Sequence, residues 1–336
     1  MTLFMNYSNE KPLLSIIIST FNRCTLLVNN LKRMLECECE DIEFIIGDNG
    51  STDSTWSQLK EIKSCKVCIV HNDKNLGFEN FWLLSRNARG KFFLFLNDRD
   101  YIDQYGLKSL VKLISTAPNY DFISCEWRLY KKGTYNARDA LNIYFSSRHP
   151  GMLIYNSSFI SKNIDRDYLE LLLRNSQNSV ANIYIVFQIL QNVHIVYVHN
   201  NSFIIQPFNR EKIPKKRKEY YDVPYVSLEY RNKEFVDWVK YANDMPDQKR
   251  SNEILLAMFK DSLMTVTWEF YISMKIPGFA KRNNFENHKY DEWLINGCAF
   301  TIHSLHNCFR YKRNIKKEML ILMLKNYYQC LKNLIG

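Results

Sequence analysis

The tetrapeptide Asn97-Asp98-Arg99-Asp100 closes the apolar run Phe92-Phe93-Leu94-Phe95-Leu96. A run of that length and bulk reads as a buried strand, and buried parallel strands bring ligands to their carboxyl ends. Two carboxylates at i and i+2, with a turn between them, can converge on one point. A hard divalent cation carrying a diphosphate suits such a point, because Mg2+ and Mn2+ take oxygen ligands. The alternative is purely structural, with Asp98 capping the next helix and Asp100 pairing with Arg99. Four residues alone leave both readings open.

Three earlier apolar runs end in a similar way. "LLSIIIST" runs into Thr20-Phe21-Asn22-Arg23, "DIEFIIGD" into Asp48-Asn49-Gly50-Ser51-Thr52-Asp53, and "KVCIVHN" into Asp73-Lys74-Asn75-Leu76-Gly77. On a parallel sheet all four polar ends share one edge. Asp48 there can accept from a nucleobase imide, while Thr20 and Phe21 supply backbone contacts and a ring edge. Connecting loops are polar in any case, so this grouping strengthens the ligand reading without proving it.

Short apolar runs alternate with helical patterns through the first hundred residues. After the first strand, Leu26, Leu27, Asn30, Leu31, Met34 and Leu35 recur at helical spacing. Ser51 or Asp53 is a natural cap for the second helix, and Gly90 closes the third. The alternation implies a mainly parallel sheet with helices on both faces. Beyond Tyr101 it loosens. A helix over 107–116, a strand over 121–130, a turn and strand over 149–159, helices over 167–175 and 181–191 and a strand over 193–201 are expected. We expect a first domain over 1–206, a charged, proline-punctuated linker over 207–227, and a largely helical region over 228–336.

The chain of 336 residues carries a net charge of +10, unevenly spread. Residues 201–336 hold 23 Lys and Arg against 15 Asp and Glu, whereas residues 1–100 hold 12 against 13. A basic C-terminal part attracts nucleic acid or an anionic membrane surface. No zinc-finger, helix-turn-helix or RNA-binding signature favours nucleic acid, which is excluded as a partner. No apolar run approaches the roughly 20 residues of a membrane span, and the first residues lack the pattern of a secretion signal. A cytoplasmic protein, peripheral at the inner face of the membrane, is expected. The nine cysteines fit a reducing compartment. Cys37, Cys39, Cys65 and Cys68 either bind zinc or are free thiols, with Cys68 facing a core.

The segments "LLSIIISTFNR", "IEFIIGDNGSTDST" and "HNDKNLGFENFWLLSRNARGKFFLFLNDRD" resemble, in order and spacing, the N-terminal motifs of the family 2 glycosyltransferases. The resemblance spans about residues 13–103 and implies the GT-A fold, Rossmann-like at its start. It implies a nucleotide-sugar donor, a UDP-sugar, held by Thr20, Phe21, Arg23, Asp48, Ser51, Asn75, Gly77, Asn97 and Asp98. It implies a divalent metal, Mn2+ or Mg2+, on Asp98 and Asp100, with Arg99 on the diphosphate. Transfer would invert the sugar carbon and deliver it to a carbohydrate acceptor, lipid-linked, in surface polysaccharide synthesis.

Two departures from the family pattern stand out. The family places an Asp directly after the apolar strand and another two residues on, where this chain has Asn97 and Arg99. Either Asp98 and Asp100 form the ligand pair from a shifted turn, or Asn97 and Asp100 bind the metal and Arg99 takes over part of the diphosphate charge. The second departure is the base. No acidic pair occurs in "RNSQNSVANIYIVFQ", and the remaining candidates are His149, Asp167 and Glu170, near Asp165. A second reading follows from the same departures: an inactive GT-A-like protein that binds a nucleotide sugar or serves in assembly.

Overall fold

The computed structural model describes residues 2–5, 11–77, 80–125, 129–147, 151–175, 178–205, 227–275, 289 and 292–335. His149 and the expected linker, apart from Ser227, lie outside them. The chain forms two compact units, Met1–Ile213 and Pro214–Gly336.

The first unit is built on a nine-stranded sheet in the order β1-β4-β3-β2-β5-β8-β6-β9-β7. The strands are β1 (Thr2–Met5), β2 (Leu14–Thr20), β3 (Ile42–Asp48), β4 (Val67–His71), β5 (Phe92–Asn97), β6 (Phe122–Ser124), β7 (Gly133–Asn136), β8 (Leu153–Asn156) and β9 (Ile195–Val198). β4, β3, β2 and β5 are mutually parallel, and β8 pairs antiparallel with both β5 and β6. Two reversals restore direction, so β6 and its parallel neighbour β9 run the same way as β5. Only β1, β7 and β8 run against the rest. The ends of β2, β3, β4, β5, β6 and β9 therefore share one edge.

Helices cover both faces. α1 (Cys24–Leu35) and α4 (Gln104–Ser115) bury Leu27, Leu31, Met34, Leu107, Leu110 and Ile114 against Ile16, Ile18, Phe44, Ile46, Leu94 and Leu96. The strand residues between these point to the other face, as the two-residue period requires. There Phe93, Phe95 and Tyr155 meet Phe81 and Trp82 of α3 (Asn80–Leu84) in edge-on and tilted ring contacts. The remaining helices of this unit are α2 (Thr55–Lys60), α5 (Ala137–Ser146), α6 (Ser157–Asn163), α7 (Arg166–Arg174) and α8 (Asn178–Asn192).

The amino edge of the sheet is pinned by one buried carboxylate. Glu43 accepts from Ser15 Oγ at 2.6 Å, from Arg89 N at 2.7 Å and from Arg89 Nε at 2.9 Å. Gly90 N donates to Ser15 Oγ at 2.9 Å, and a Cβ on Gly90 would stand 2.7 Å from both Ser15 N and Phe92 O. This close approach fixes where β5 enters beside β2, and hence where Asn97 and the acidic turn emerge.

The second unit is helical: α9 (Leu228–Asn243), α10 (Gln248–Met264), a π-helical turn (Thr265–Glu269) leading into α11 (Phe270–Met274), α12 (Trp293–Arg310) and α13 (Lys316–Ile335). Phe235, Phe259 and Phe300 pack together at its centre.

Candidate functional site

The ends of β2, β3, β4 and β5 are tied into one polar edge by short side chains that satisfy each other's backbone. Asn22, in a left-handed conformation (φ 54) after β2, receives this freedom from its small polar side chain. Its N donates to Ser51 Oγ at 2.9 Å, and its Oδ1 accepts from Thr52 N at 2.7 Å and Asp53 N at 3.3 Å. The turn after β2 is thus held to the turn after β3.

An asparagine network ties in β4 and α3. Asn49 Nδ2 donates to Asn75 Oδ1 at 2.7 Å and to Gly77 O at 3.2 Å, while Asn49 Oδ1 accepts from Leu76 N at 2.9 Å. Asn72 donates to Asn80 Oδ1 at 2.7 Å, and Asn80 donates to Ser19 Oγ at 2.9 Å. Asn75 and Gly77, expected at the nucleotide, lie inside this network. Gly77 adopts φ 74, which glycine accepts without strain.

Asp48 is fully buried. Its Oδ1 accepts from Ser51 N at 3.1 Å, and its Oδ2 lies 2.8 Å from His71 Nδ1. The His71 ring stacks on Trp56 with centroids 4.4 Å apart. A nucleobase reading Asp48 would share oxygens that already carry two partners. Phe21 and Ser51 stay partly exposed at the same edge.

At the end of β5, Asp98 and Asp100 are each only 2% exposed. Asp98 Oδ1 is 2.6 Å from Arg23 Nη1, and Asp98 Oδ2 accepts from Thr20 Oγ1 at 2.9 Å. Burial pushes the Asp98 carboxyl up from its ordinary value, against the lowering influence of Arg23, Thr20 and Arg99. Asp100 N donates to Asn97 O at 3.0 Å, and Asn97 Nδ2 donates to Asp100 Oδ2 at 3.0 Å. From α1, Asn30 Nδ2 reaches the carbonyls of Asp98 at 3.3 Å and Asp100 at 3.4 Å, clamping the turn on either side of Arg99.

A divalent cation needs several oxygens converging on it. Here both oxygens of Asp98 already answer protein donors, one of them a cation, and one oxygen of Asp100 answers Asn97. Among the described residues no three His, Cys, Asp or Glu side chains are grouped to hold a metal. As they stand, the residues present do not fit a metal held by Asp98 and Asp100. The capping alternative is corrected, since the cap of α4 is Asp103, which accepts from Gly106 N at 2.7 Å.

The expected acidic bases lie elsewhere. Glu170 is ion-paired with Arg86, and Asp167 lies 4.0 Å from the same arginine with its side chain 98% exposed. Arg86 precedes the Arg89-Gly90 anchor of the amino edge, opposite the acidic turn. Asp165 caps α7 by accepting from Asp167 N and Tyr168 N, both at 3.0 Å. These three residues build the seat of α7 rather than a site at the carboxyl edge.

Sequence reasoning passed over His199, which follows β9 at the carboxyl edge. Its ring stacks on Phe203 at 5.0 Å, and its Nδ1 is buried without a partner among the described residues. Burial, with Lys132 nearby, lowers its pKa below the ordinary imidazole value. From His199 the chain returns along this edge to pair with the residue after Asp100: Tyr101 N donates to Ile205 O at 3.1 Å and Ile205 N to Tyr101 O at 2.8 Å. The only advance signal was the polar "HNN" at the end of an apolar strand.

The sequence pattern of glycosyl transferase family 2 matches residues 15–178. A beta-1,3-glucosyltransferase of Campylobacter jejuni, named for GalNAc(5)-diNAcBac-PP-undecaprenol, is 28% identical over 125 residues, covering 34% of this chain and 38% of that protein. The Escherichia coli UDP-Glc:alpha-D-GlcNAc-diphosphoundecaprenol beta-1,3-glucosyltransferase WfaP is 31% identical over 94 residues, covering 26% of this chain and 36% of its own. The matches thus span less than two fifths of these relatives. In fold, the chain is similar to S. aureus TarS 1–349, solved in complex with UDP-GlcNAc, with a TM-score of 0.53 at 14% identity over 94% of this chain and 90% of that one. The mixed, mainly one-way sheet with a helical C-terminal region is of the GT-A kind. Residues 15–178, just under half of this chain, thus carry the sequence pattern of glycosyl transferase family 2.

Proposed function

We propose that the protein is a glycosyltransferase moving a monosaccharide from a nucleotide sugar, a UDP-sugar, to a lipid-linked carbohydrate acceptor of surface polysaccharide synthesis. The observation that carries this reading is the tied polar edge at the ends of β2, β3, β4 and β5, within the family domain. The two glucosyltransferase relatives named for undecaprenol-linked glycans support the acceptor class, and WfaP and the TarS complex support the UDP donor.

The edge divides the work. Thr20, Phe21, Asn22 and Ser51 border a nucleoside slot whose floor Asp48 and His71 hold rigid. The donor diphosphate lies toward the β5 turn, where Arg99 meets it. The acceptor hydroxyl oxygen attacks the sugar carbon as the bond to the diphosphate oxygen breaks, inverting that carbon, and the nucleoside diphosphate leaves with the bonding pair. The hydroxyl proton passes to a base on the acceptor side. His199 is the described residue of the right kind: it sits on this edge and is neutral at pH 7, so its ring can accept a proton.

The test is release of UDP from UDP-glucose and UDP-N-acetylglucosamine by the purified chain, with and without a polyprenyl-diphosphate-linked sugar. Acceptor-dependent release and a product one sugar longer are expected. A second reading, an inactive nucleotide-sugar binder, is favoured by the lack of any Asp or Glu in residues 178–205. Tight UDP binding with no turnover of any donor would establish that reading and sink the first.

A further inference from the structure

We propose that Arg99 replaces a divalent cation at the donor diphosphate, so that this chain binds its donor without metal. The inference rests on the donor reading above and says how that site handles charge. In the tetrapeptide that ends β5, Asp98 and Asp100 are buried, and the side chains that reach solvent are Asn97 and Arg99. Asp98 is neutralised by Arg23 at 2.6 Å. A dication taking Asp98 as a ligand would have to break this pair and the Thr20 hydrogen bond, and would then face the Arg23 and Arg99 guanidinium groups it had displaced or approached. That exchange adds positive charge where two cations already stand.

The same turn presents Arg99 ready for an anion. Asn30 holds the carbonyls of Asp98 and Asp100, so the backbone on both sides of Arg99 is fixed. The Asn97 amide is occupied by Asp100. Arg99 lies close enough to Asp98 to lower its pKa, and no hydrogen bond or ion pair to a described side chain competes for its guanidinium. A guanidinium offers a planar fork of donors that matches two phosphate oxygens at once, and its charge does not depend on pH or on metal supply. The polar turns after β2 and β3 leave the nucleoside end of the donor to uncharged contacts. Arg23 is engaged by Asp98, and the Arg99 fork stands where a leaving diphosphate accumulates charge as the sugar bond breaks.

The experiment is calorimetric titration of UDP into the full chain, in excess EDTA and in millimolar Mn2+. Kd is expected to agree within about threefold between the two conditions, a difference under 1 kcal/mol. Arg99→Ala should weaken UDP about tenfold or more in EDTA and leave uridine, which lacks phosphates, within about twofold. Arg99→Lys should fall between, keeping the charge but losing the fork. The double variant Asn97→Asp with Arg99→Asp, which puts two acids on the exposed positions of the turn, should gain Mn2+-dependent UDP binding. The inference is overturned if Mn2+ tightens UDP about tenfold in the wild type, or if Arg99→Ala binds UDP as the wild type does. If UDP, GDP, ADP and dTDP all fail to bind the wild type in either condition, the donor reading itself falls and this inference with it. Melting curves of each variant separate a lost contact from a lost fold.

Discussion

His199 and Asp98 show how much a side chain's role depends on what burial leaves it. The His199 pKa is lowered by burial, so its ring stays neutral at pH values where a free imidazole is already half protonated. A base works in its neutral form, so the transfer rate is expected to persist to lower pH than a free imidazole would allow and to decline as pH falls through the lowered value. His199→Ala should reduce kcat about a hundredfold or more while UDP affinity is unchanged. A wild-type kcat in that variant would remove His199 from the reaction. Asp98 teaches the complementary lesson. The residue types at the strand ends were readable as chemistry from the sequence, and the break from the family's metal pattern at Asn97 and Arg99 was visible in four letters. What could not be read was the partner: Arg23 stands 75 residues before Asp98, and only the closed sheet shows that it takes the oxygen a metal would need. The placement of Asp167 and Glu170 beside Arg86 was unreadable for the same reason, since that arginine comes from a distant segment.

At the scale of elements, the four strands with strong apolar runs and their crossover helices were legible because each pattern is local and long. The missed pieces were short. β7 and α5 come from "GTYNARDALNIYFS", where Asn136 both ends a four-residue edge strand and caps the helix by accepting from Arg138 N and Asp139 N. Such a hinge reads as loop until its pairing with β9 is known. The asparagine network was invisible for another reason: asparagines in turns are expected anyway, and nothing local distinguishes a turn former from a brace. Two glycines allow a comparison of element geometry. Gly90→Ala would push a Cβ to 2.7 Å from two backbone atoms, Ser15 N and Phe92 O, neither of which can move without shifting β2 or β5. Gly151→Ala would meet the mobile tip of Ile204, but at φ +85. Gly151→Ala is expected to cost about 1–2 kcal/mol in urea denaturation, the scale of left-handed strain, and Gly90→Ala more than that because strand register is at stake. A Gly90→Ala chain as stable as the wild type would show that the amino edge does not fix β5.

At the scale of the whole molecule, the excess of positive charge belongs to residues 201–336, and the second unit gives it a surface. α13 docks through one face: Ile315 just before it, Met319 and Cys330 are buried, and Tyr327 OH donates to Leu294 O of α12 at 2.7 Å. The opposite face is also apolar. Leu320, Ile321, Leu324, Tyr328 and Leu331 are exposed, as are Ile295, Ile302 and Phe309 of α12. Lys316, Lys317, Lys325 and Lys332 are exposed on α13 with them, as are Arg310 at the end of α12 and Lys312 between the helices. No helix among the described residues is long and apolar enough to cross a membrane. An exposed apolar stripe bordered by lysines has the make-up of an interfacial helix, with basic residues near anionic headgroups adding about 1 kcal/mol each. Under the proposed function, such a surface would hold the protein where a lipid-linked acceptor resides. The chain is therefore expected to sediment with vesicles containing phosphatidylglycerol at low salt, to leave them at high salt, and to ignore vesicles of phosphatidylcholine alone. Removing α13 would strip Met319 and Cys330 from the core, so the informative variant is Ile321→Glu with Leu324→Glu, which alters only the outer face. That variant should stay folded and remain in the supernatant with anionic vesicles; sedimentation equal to the wild type would show that charge alone, or another surface, brings the protein to the lipid.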